Sequence, residues 1–512
     1  MSAVPAVSVL FCSSEPSPVL EREAPSFFGD LNLDQVVASI SAGREEYDLA
    51  PFFYSRLPTL DAIAYRHEVL RDLESEVLLA HVGSFAQAMR EMRKHLEQAE
   101  KVHYAYEREA WFLDAAQLYG EAVERLAGQL AVADLGSRGF SAFRAYLADY
   151  VKSDSFRTLR ADIREVRVGL SEVRYLLTIK GLRVEVSRCG AETDYSSEVE
   201  QTFERFKRAA AKDYRTTFSA SPWMNHVEAQ ILDLVARLFP DVFLALDTYC
   251  ERHLHYLDET IAAFDREVQF YVAYLQYTER FTAAGLRFCY PRVDDRSQEI
   301  HARDAFDVAL ADTLVPEHPV VCNDFDLSDP ERIIVVSGPN QGGKTTFARM
   351  FGQLHYLAAI GCPVPGSDAQ LFLCDRLFTH FEREENLSTL SGKLEDDLLR
   401  IHEILAQATP RSIVIMNESL TGTTLRDAST LGRAVLEQMI ARRLICVYVT
   451  FVDELASLSS ATVSMVSAVT PEDPATRTYK IVRRPADGLA YAYAIADKYS
   501  LTYARLKERL TS

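Results

Sequence analysis

Residues 334–346 read IVVSGPNQGGKTT. An apolar run, Ile333–Val336, leads into Gly338, Pro339, Asn340, Gln341, Gly342 and Gly343, and then into Lys344, Thr345 and Thr346. The spacing G-x-x-x-x-G-K-[ST] fits a strand, a tight loop and a helix arranged to cradle phosphates. It predicts a strand over Ile333–Val336 and a helix over Thr346–Leu357. Glycines let backbone N–H groups approach phosphate oxygens, and the helix N-terminus favours their charge. On this reading the Lys344 ammonium reaches the β- and γ-phosphates of ATP, and the Thr345 hydroxyl ligates Mg²⁺. A chance match on a strand-to-helix turn is the bland alternative, and the apolar strand before the loop argues against it. A loop that binds nucleotide without hydrolysing it stays open.

A second stretch bears on that choice. Residues 413–419 read IVIMNES. Ser412–Met416 is apolar and is expected to form a strand buried beside the first. In phosphate-loop enzymes an Asp at the end of such a strand steadies Mg²⁺, and a following Glu orients the attacking water. Here Asn417 keeps a carbonyl oxygen for the metal but lacks the charge. Glu418 keeps the carboxylate of a general base. The competing reading of Glu418 is a solvated carboxylate at a strand end.

The surrounding texture supports an α/β domain. From Pro291 to about residue 500, short β-branched runs alternate with helical patterns, which implies a mostly parallel sheet covered by helices. Upstream the chain reads as all-α. Residues 33–155 read as helical, and residues 77–133 show apolar residues at three- and four-residue spacing with almost no Gly or Pro, a pattern of long helices suited to a bundle or lever. Residues 156–215 differ, with charged helical stretches flanking TIKGLRVEVSR at 178–188, which reads as a short strand. This segment carries 13 Lys/Arg against 10 Asp/Glu, slightly basic in an acidic chain. That fits a solvated face or a surface for a nucleic-acid backbone. The expected division is a lead-in at 1–32, a helical core at 33–155 and 216–295 with the 156–215 segment between its halves, and an ATPase domain at 296–512.

Bulk properties narrow the function. The 512-residue chain has net charge −19, so bulk charge does not hold it on nucleic acid. The eight cysteines are scattered without a C-x-x-C pair, which argues against zinc and against a disulfide framework. No apolar run approaches the roughly 20 residues of a membrane helix. The N-terminus lacks the basic start of a signal peptide. A cytoplasmic protein without membrane contact is expected.

Several segments together resemble the MutS family of DNA mismatch repair ATPases. GPNQGGKTT is similar to the family's GPNxGGKST, VVCND at 320–324 to its V-P-N-D, and NESLTGTTLRDA at 417–428 to its DE-x-x-x-GT-x-x-x-DG. SGKLEDDLLRIHEIL at 391–405 resembles its signature helix and VTFVDELASL at 449–458 its T-H-x-x-EL segment. More weakly, residues 52–73 resemble the entry to the family's helical core, 178–188 a strand of its DNA clamp, and 477–501 its C-terminal part.

The resemblance implies a DNA-binding homodimer in which ATP closes the two ATPase domains, with repair or recombination proteins as further partners. It places Asn323 at the nucleotide and sends Ser391 and Gly392 to the partner's γ-phosphate. A helix N-terminus suits that task, although a Ser before a helix also serves as an ordinary cap. The chain is expected to start at the helical core, without the family's mismatch-reading and connector domains. Three departures touch the site. Asn417 replaces the family's Asp, Phe451 replaces its His, and Val320 stands where an aromatic residue stacks on adenine. An ATP-driven DNA clamp is the leading reading. A nucleotide-gated scaffold with little hydrolysis is the alternative. A transporter ATPase or kinase is a third reading, poorly served by LSGKL at 390–394.

Overall fold

The computed structural model describes residues 7–12, 20–181, 183–190, 224–382, 392–470 and 473–486. The chain divides into two compact units: Met1–Glu74 with Gly136–Phe140 and Arg266–Ser512, and Ser75–Leu135 with Ser141–Asp265. Among the described residues no helix is long and apolar enough to cross a membrane. Among the described residues, the eight cysteines form no disulfide.

The second unit is helical. Ser75 caps a 26-residue helix, Glu76–Lys101, by accepting from the Leu78 amide. Leu78, Val82, Phe85, Met89 and Met92 recur along its buried stripe. This helix packs along the 28-residue helix Ala105–Val132, which buries Leu113, Ala116, Val123 and Leu126. Each fully buried Leu or Phe contributes roughly 1.5–3 kcal/mol, so most of the stability of these helices comes from this seam. Phe143 stacks on Phe264 with ring centroids 3.6 Å apart.

Sequence periodicity reads 178–188 as one strand, and the structure makes it a hairpin. β1 (Tyr175–Lys180) pairs antiparallel with β2 (Arg183–Arg188), with Ile179 opposite Val184. Gly181, at φ 62°, supplies the left-handed turn that splits the run. Tyr175, Leu176, Leu177 and Ile179 are exposed on β1.

The first unit holds the remaining strands. They are β3 (Phe288–Cys289), β4 (Arg292–Asp294), β5 (Ile300–Ala305), β6 (Asn323–Leu327), β7 (Ile333–Ser337), β8 (Val364–Pro365), β9 (Asp368–Phe372), β10 (Leu377–Phe381), β11 (Ile413–Asn417), β12 (Ile445–Val449), β13 (Thr462–Thr470) and β14 (Asp473–Arg483). The main sheet runs β10-β11-β12-β7-β13-β14, parallel throughout except for the last pair. A four-stranded sheet, β4-β9-β5-β6, and the pair β3-β8 complete the strands.

Every residue of β7, β11 and β12 is buried, as parallel strands covered on both faces require. One face packs Ile333, Val335, Val414, Met416, Cys446 and Tyr448 under the helices Lys393–Gln407 and Leu425–Ala441. The other carries the helix Lys344–Ala359, apolar on nearly every side and buried accordingly. β11 is not the neighbour of β7, contrary to the sequence expectation, because β12 lies between them. Apolarity marks a strand as central, but lateral order depends on where the helical crossovers return the chain. Asn417 therefore ends a strand two spacings, about 10 Å, from the loop-bearing strand.

The same unit draws in a short upstream segment. The Glu267 carboxylate accepts from the Ser8 hydroxyl at 2.8 Å and from the Val9 amide at 2.8 Å. The buried Arg66 guanidinium donates to the Ile360 carbonyl at 2.7 Å, just beyond the end of the helix Lys344–Ala359.

Candidate functional site

The site is built at the C-terminal ends of β7 and β11. β7 ends at Ser337, and the loop 338–343 turns the chain into the helix Lys344–Ala359. Gly338 and Gly343 adopt φ 115° and 89°, a region that other residues avoid. Space is equally restrictive, because a Cβ on Gly342 would meet Ser467 Oγ at 2.2 Å. The Ser467 hydroxyl donates to the Gly342 carbonyl at 2.8 Å, so β13 holds the loop from outside.

Lys344 is the helix's first residue and only 5% exposed. Its ammonium donates to the carbonyls of Gly338 at 3.0 Å and Pro339 at 3.2 Å, and to Asn340 Oδ1 at 3.2 Å. Burial pulls its pKa below the usual lysine value, and the Glu418 carboxylate partly offsets that.

A cavity of about 500 Å³ opens over this loop, within the range for a small-molecule site. Gln341, Gly342, Gly343, Lys344, Thr345, Thr346, Glu418 and Asn323 line its polar side. Leu310, Leu314, Pro319, Val321 and Tyr479 form the rest of the wall. Gly338, Pro339 and Asn340 shape the loop and hold Lys344 without lining the cavity. Asn417 sits one residue behind Glu418, 7% exposed, and its Oδ1 has no hydrogen-bond partner among the described residues. Gly392 is the N-cap of the helix Lys393–Gln407 and does not line the cavity. Ser391 lies outside the described residues.

Asn323 has a further task. Its Oδ1 accepts from the Ile481 amide at 2.7 Å and its Nδ2 donates to the Tyr479 carbonyl at 3.2 Å, which ties β14 to the cavity mouth. Val320, marked in the sequence for base stacking, does not line the cavity, whereas Pro319 and Val321 on either side do. In extended chain, neighbouring side chains point oppositely, and Val321 shares the face of Asn323. Phe451 is 46% exposed and is also absent from the lining. The apolar wall and Tyr479 escaped sequence reasoning because they come from segments far from the loop in the chain. The positive φ of Tyr479, 58°, has no sequence signature.

The buried backbone around Glu418 is unusual. Glu418 and Leu420 have φ 52° and 63°. The Glu418 amide donates to the Val449 carbonyl at 3.0 Å, and the Leu420 amide to Asp397 Oδ2 at 3.3 Å. Burial raises the Asp397 pKa, but the neighbouring His380 imidazole and the hydrogen bond from the Leu420 amide outweigh it and hold the carboxyl below its usual range.

This arrangement has the groups that a phosphate ester site needs. The glycine loop, the Lys344 ammonium and the Glu418 carboxylate line one cavity, and its apolar wall can take a planar base. Thr345 Oγ1 and the orphaned Asn417 Oδ1 are oxygen donors suited to Mg²⁺, which keeps most of its shell as water and phosphate. Among the described residues no three His, Cys, Asp or Glu side chains cluster as a metal site of their own.

The family profile MutS domain V matches residues 334–501. The chain is 34% identical over 154 residues to the DNA mismatch repair protein msh3 of Aspergillus fumigatus, covering 30% of this chain and 13% of that protein. It is 31% identical over 199 residues to the DNA mismatch repair protein MutS of Chloroflexus aurantiacus, covering 38% of this chain and 20% of that one. For the MutS protein of Orientia tsutsugamushi the figures are 32% over 172 residues, 33% and 19%. The match thus spans between 13% and 20% of the length of these relatives. Through residues 334–501, this chain matches MutS domain V and is similar to mismatch repair proteins of the MutS type.

Proposed function

We propose that this chain binds and hydrolyses ATP in a phosphate-loop ATPase domain at 296–512, and that it works as a dimeric, ATP-gated DNA clamp of the mismatch repair type. The helical core at 33–155 and 216–295 would carry the closure to a DNA-contacting segment at 156–215. The observation that supports this reading is the single cavity lined by Lys344, Thr345, Asn323 and Glu418 together.

In this mechanism the loop amides and the ammonium of Lys344 hold the phosphates. Lys344 exchanges the carbonyls of Gly338 and Pro339 for phosphate oxygens. Thr345 and Asn417 would hold Mg²⁺, which supplies positive charge to the reacting phosphate. Glu418 orients a water and accepts its proton. Ser391 and Gly392 would complete the site of a partner copy.

Asn417 and Phe451 favour a second reading, a nucleotide-gated scaffold that hydrolyses little. Steady-state ATP turnover separates the two, with Lys344→Ala as control, alone and with homoduplex, mismatched and branched DNA. Lys344-dependent turnover that responds to DNA supports the clamp. ATP binding without Lys344-dependent turnover supports the scaffold.

A further inference from the structure

We propose that His380, acting through Ser419 and Asp397, is a positioning residue that sets the orientation of the Glu418 carboxylate. The inference rests on the hydrolytic reading of the site and names a part of it that lies outside the cavity.

The argument starts from the backbone. Glu418 and Leu420, the residues on either side of Ser419, both occupy the left-handed region at φ 52° and 63°. Neither is a glycine, and a leucine there is a true outlier. Such a turn persists only where its surroundings over-determine it, and such turns cluster at functional sites. Here three buried contacts determine it. The Glu418 amide is held by the Val449 carbonyl at 3.0 Å. Ser419 Oγ lies 2.8 Å from His380 Nδ1. The Leu420 amide donates to Asp397 Oδ2 at 3.3 Å.

His380 joins the last two contacts. Its Nε2 lies 3.4 Å from Asp397 Oδ1, an electrostatic contact that lacks hydrogen-bond geometry, while its Nδ1 meets Ser419. The tautomer with the proton on Nε2 puts the positive end of the ring dipole beside the carboxylate and leaves Nδ1 to accept the Ser419 hydroxyl proton. His380 is 0% exposed, Ser419 2% and Asp397 6%, so water does not substitute for any of the three. Asp397 stands in the second turn of the helix Lys393–Gln407, and His380 is in β10, next to β11. Helix, strand and catalytic turn are thus linked by buried contacts among three side chains, none of which lines the cavity. A base displaced by about 1 Å loses on the order of 10²-fold in rate, so a device that fixes the turn acts on chemistry and not on nucleotide affinity.

The test uses the full chain and three readouts: binding of a non-hydrolysable ATP analogue, steady-state turnover, and amide hydrogen exchange across residues 418–421. His380→Ala is expected to lower kcat on the order of 10²-fold while analogue affinity stays at the wild-type level. The Leu420 amide is expected to exchange faster. His380→Asn, which keeps a polar atom near the position of Nδ1, should restore part of kcat. Asp397→Asn keeps an acceptor for the Leu420 amide and should do less harm than Asp397→Ala. If His380→Ala does not fold, Ser419→Ala carries the same comparison. Turnover and exchange at wild-type values in folded His380→Ala would overturn the inference, as would an equal loss of binding and kcat. Absence of Lys344-dependent turnover in the wild type overturns the hydrolytic reading instead. The exchange of Leu420 then decides whether His380 holds the turn at all.

Discussion

The Nζ of Lys344 lies 3.0 Å from the carbonyl oxygen of Gly338, the residue that opens its own loop. Burying an ammonium is costly, and the loop carbonyl oxygens that accept its protons offset part of that cost. Phosphate oxygens would compete for the same donor. Lys344→Ala is therefore expected to lower ATP turnover by about 10²–10³-fold, as loss of one preorganised donor does. A coupled phosphate-release assay checks this, and turnover equal to the wild type would remove the loop from the mechanism.

Gly342 tests the loop's shape. A Cβ there would meet Ser467 Oγ at 2.2 Å and the Pro339 carbonyl oxygen at 2.9 Å. Gly342→Ala should weaken nucleotide binding at least about tenfold and cost about 1–3 kcal/mol of stability, in the range of overpacked sites. Adding Ser467→Ala removes the nearest clash but not the carbonyl, so partial recovery is expected. Isothermal titration of the single and double variants measures the binding, and denaturant unfolding the stability.

Asn417→Asp tests the missing charge. The amide oxygen is buried and has no partner among the described residues. An aspartate there would be a buried carboxylate, stabilised when Mg²⁺ is present and costly when it is not. Thermal melting should show Asn417→Asp below the wild type in chelator and gaining more than it from Mg²⁺ with nucleotide. Turnover should rise, and an unchanged response to Mg²⁺ would place the metal elsewhere.

Glu267 predicts a pH effect on stability. Burial holds its carboxyl above the usual range, against the hydrogen bonds from Ser8, Val9 and Leu10 and the charge of Arg66. A folded-state pKa above the unfolded one contributes stability that is present below about pH 4.3 and is lost as pH rises through the folded value. Glu267→Gln cannot ionise. The Tm of this variant minus that of the wild type should therefore grow as pH rises from about 4 toward neutrality. A difference that does not change with pH would show that Glu267 does not change its protonation in that window.

The hairpin tip tests the DNA reading. Arg167 is an unsuitable probe, because its Nε donates to Gln117 at 2.8 Å and its guanidinium also pairs with Asp114. Lys180 and Arg183 are exposed on either side of the Gly181 turn. Lys180→Glu with Arg183→Glu should weaken binding to all DNA sequences alike and lower the salt slope by about 2. Unchanged affinity would dismiss the hairpin as a contact to the DNA backbone.

Much of this protein was legible in its sequence. Residues 334–346 announce a strand, a glycine loop and a helix because local backbone sterics and short-range hydrogen bonds decide them. Buried strands such as Ile413–Asn417 read as unbroken apolar runs, and the long helices read by their stripes. What the tertiary structure alone decided is non-local. The insertion of β12 between β7 and β11 depends on chain crossovers. The choice of Val321 over Val320 for the cavity wall depends on which face of an extended segment turns inward. The meeting of His380, Asp397 and Ser419 behind Glu418 joins residues as far as 39 positions apart. No period or motif encodes such contacts, because they form only once packing has brought separate elements together.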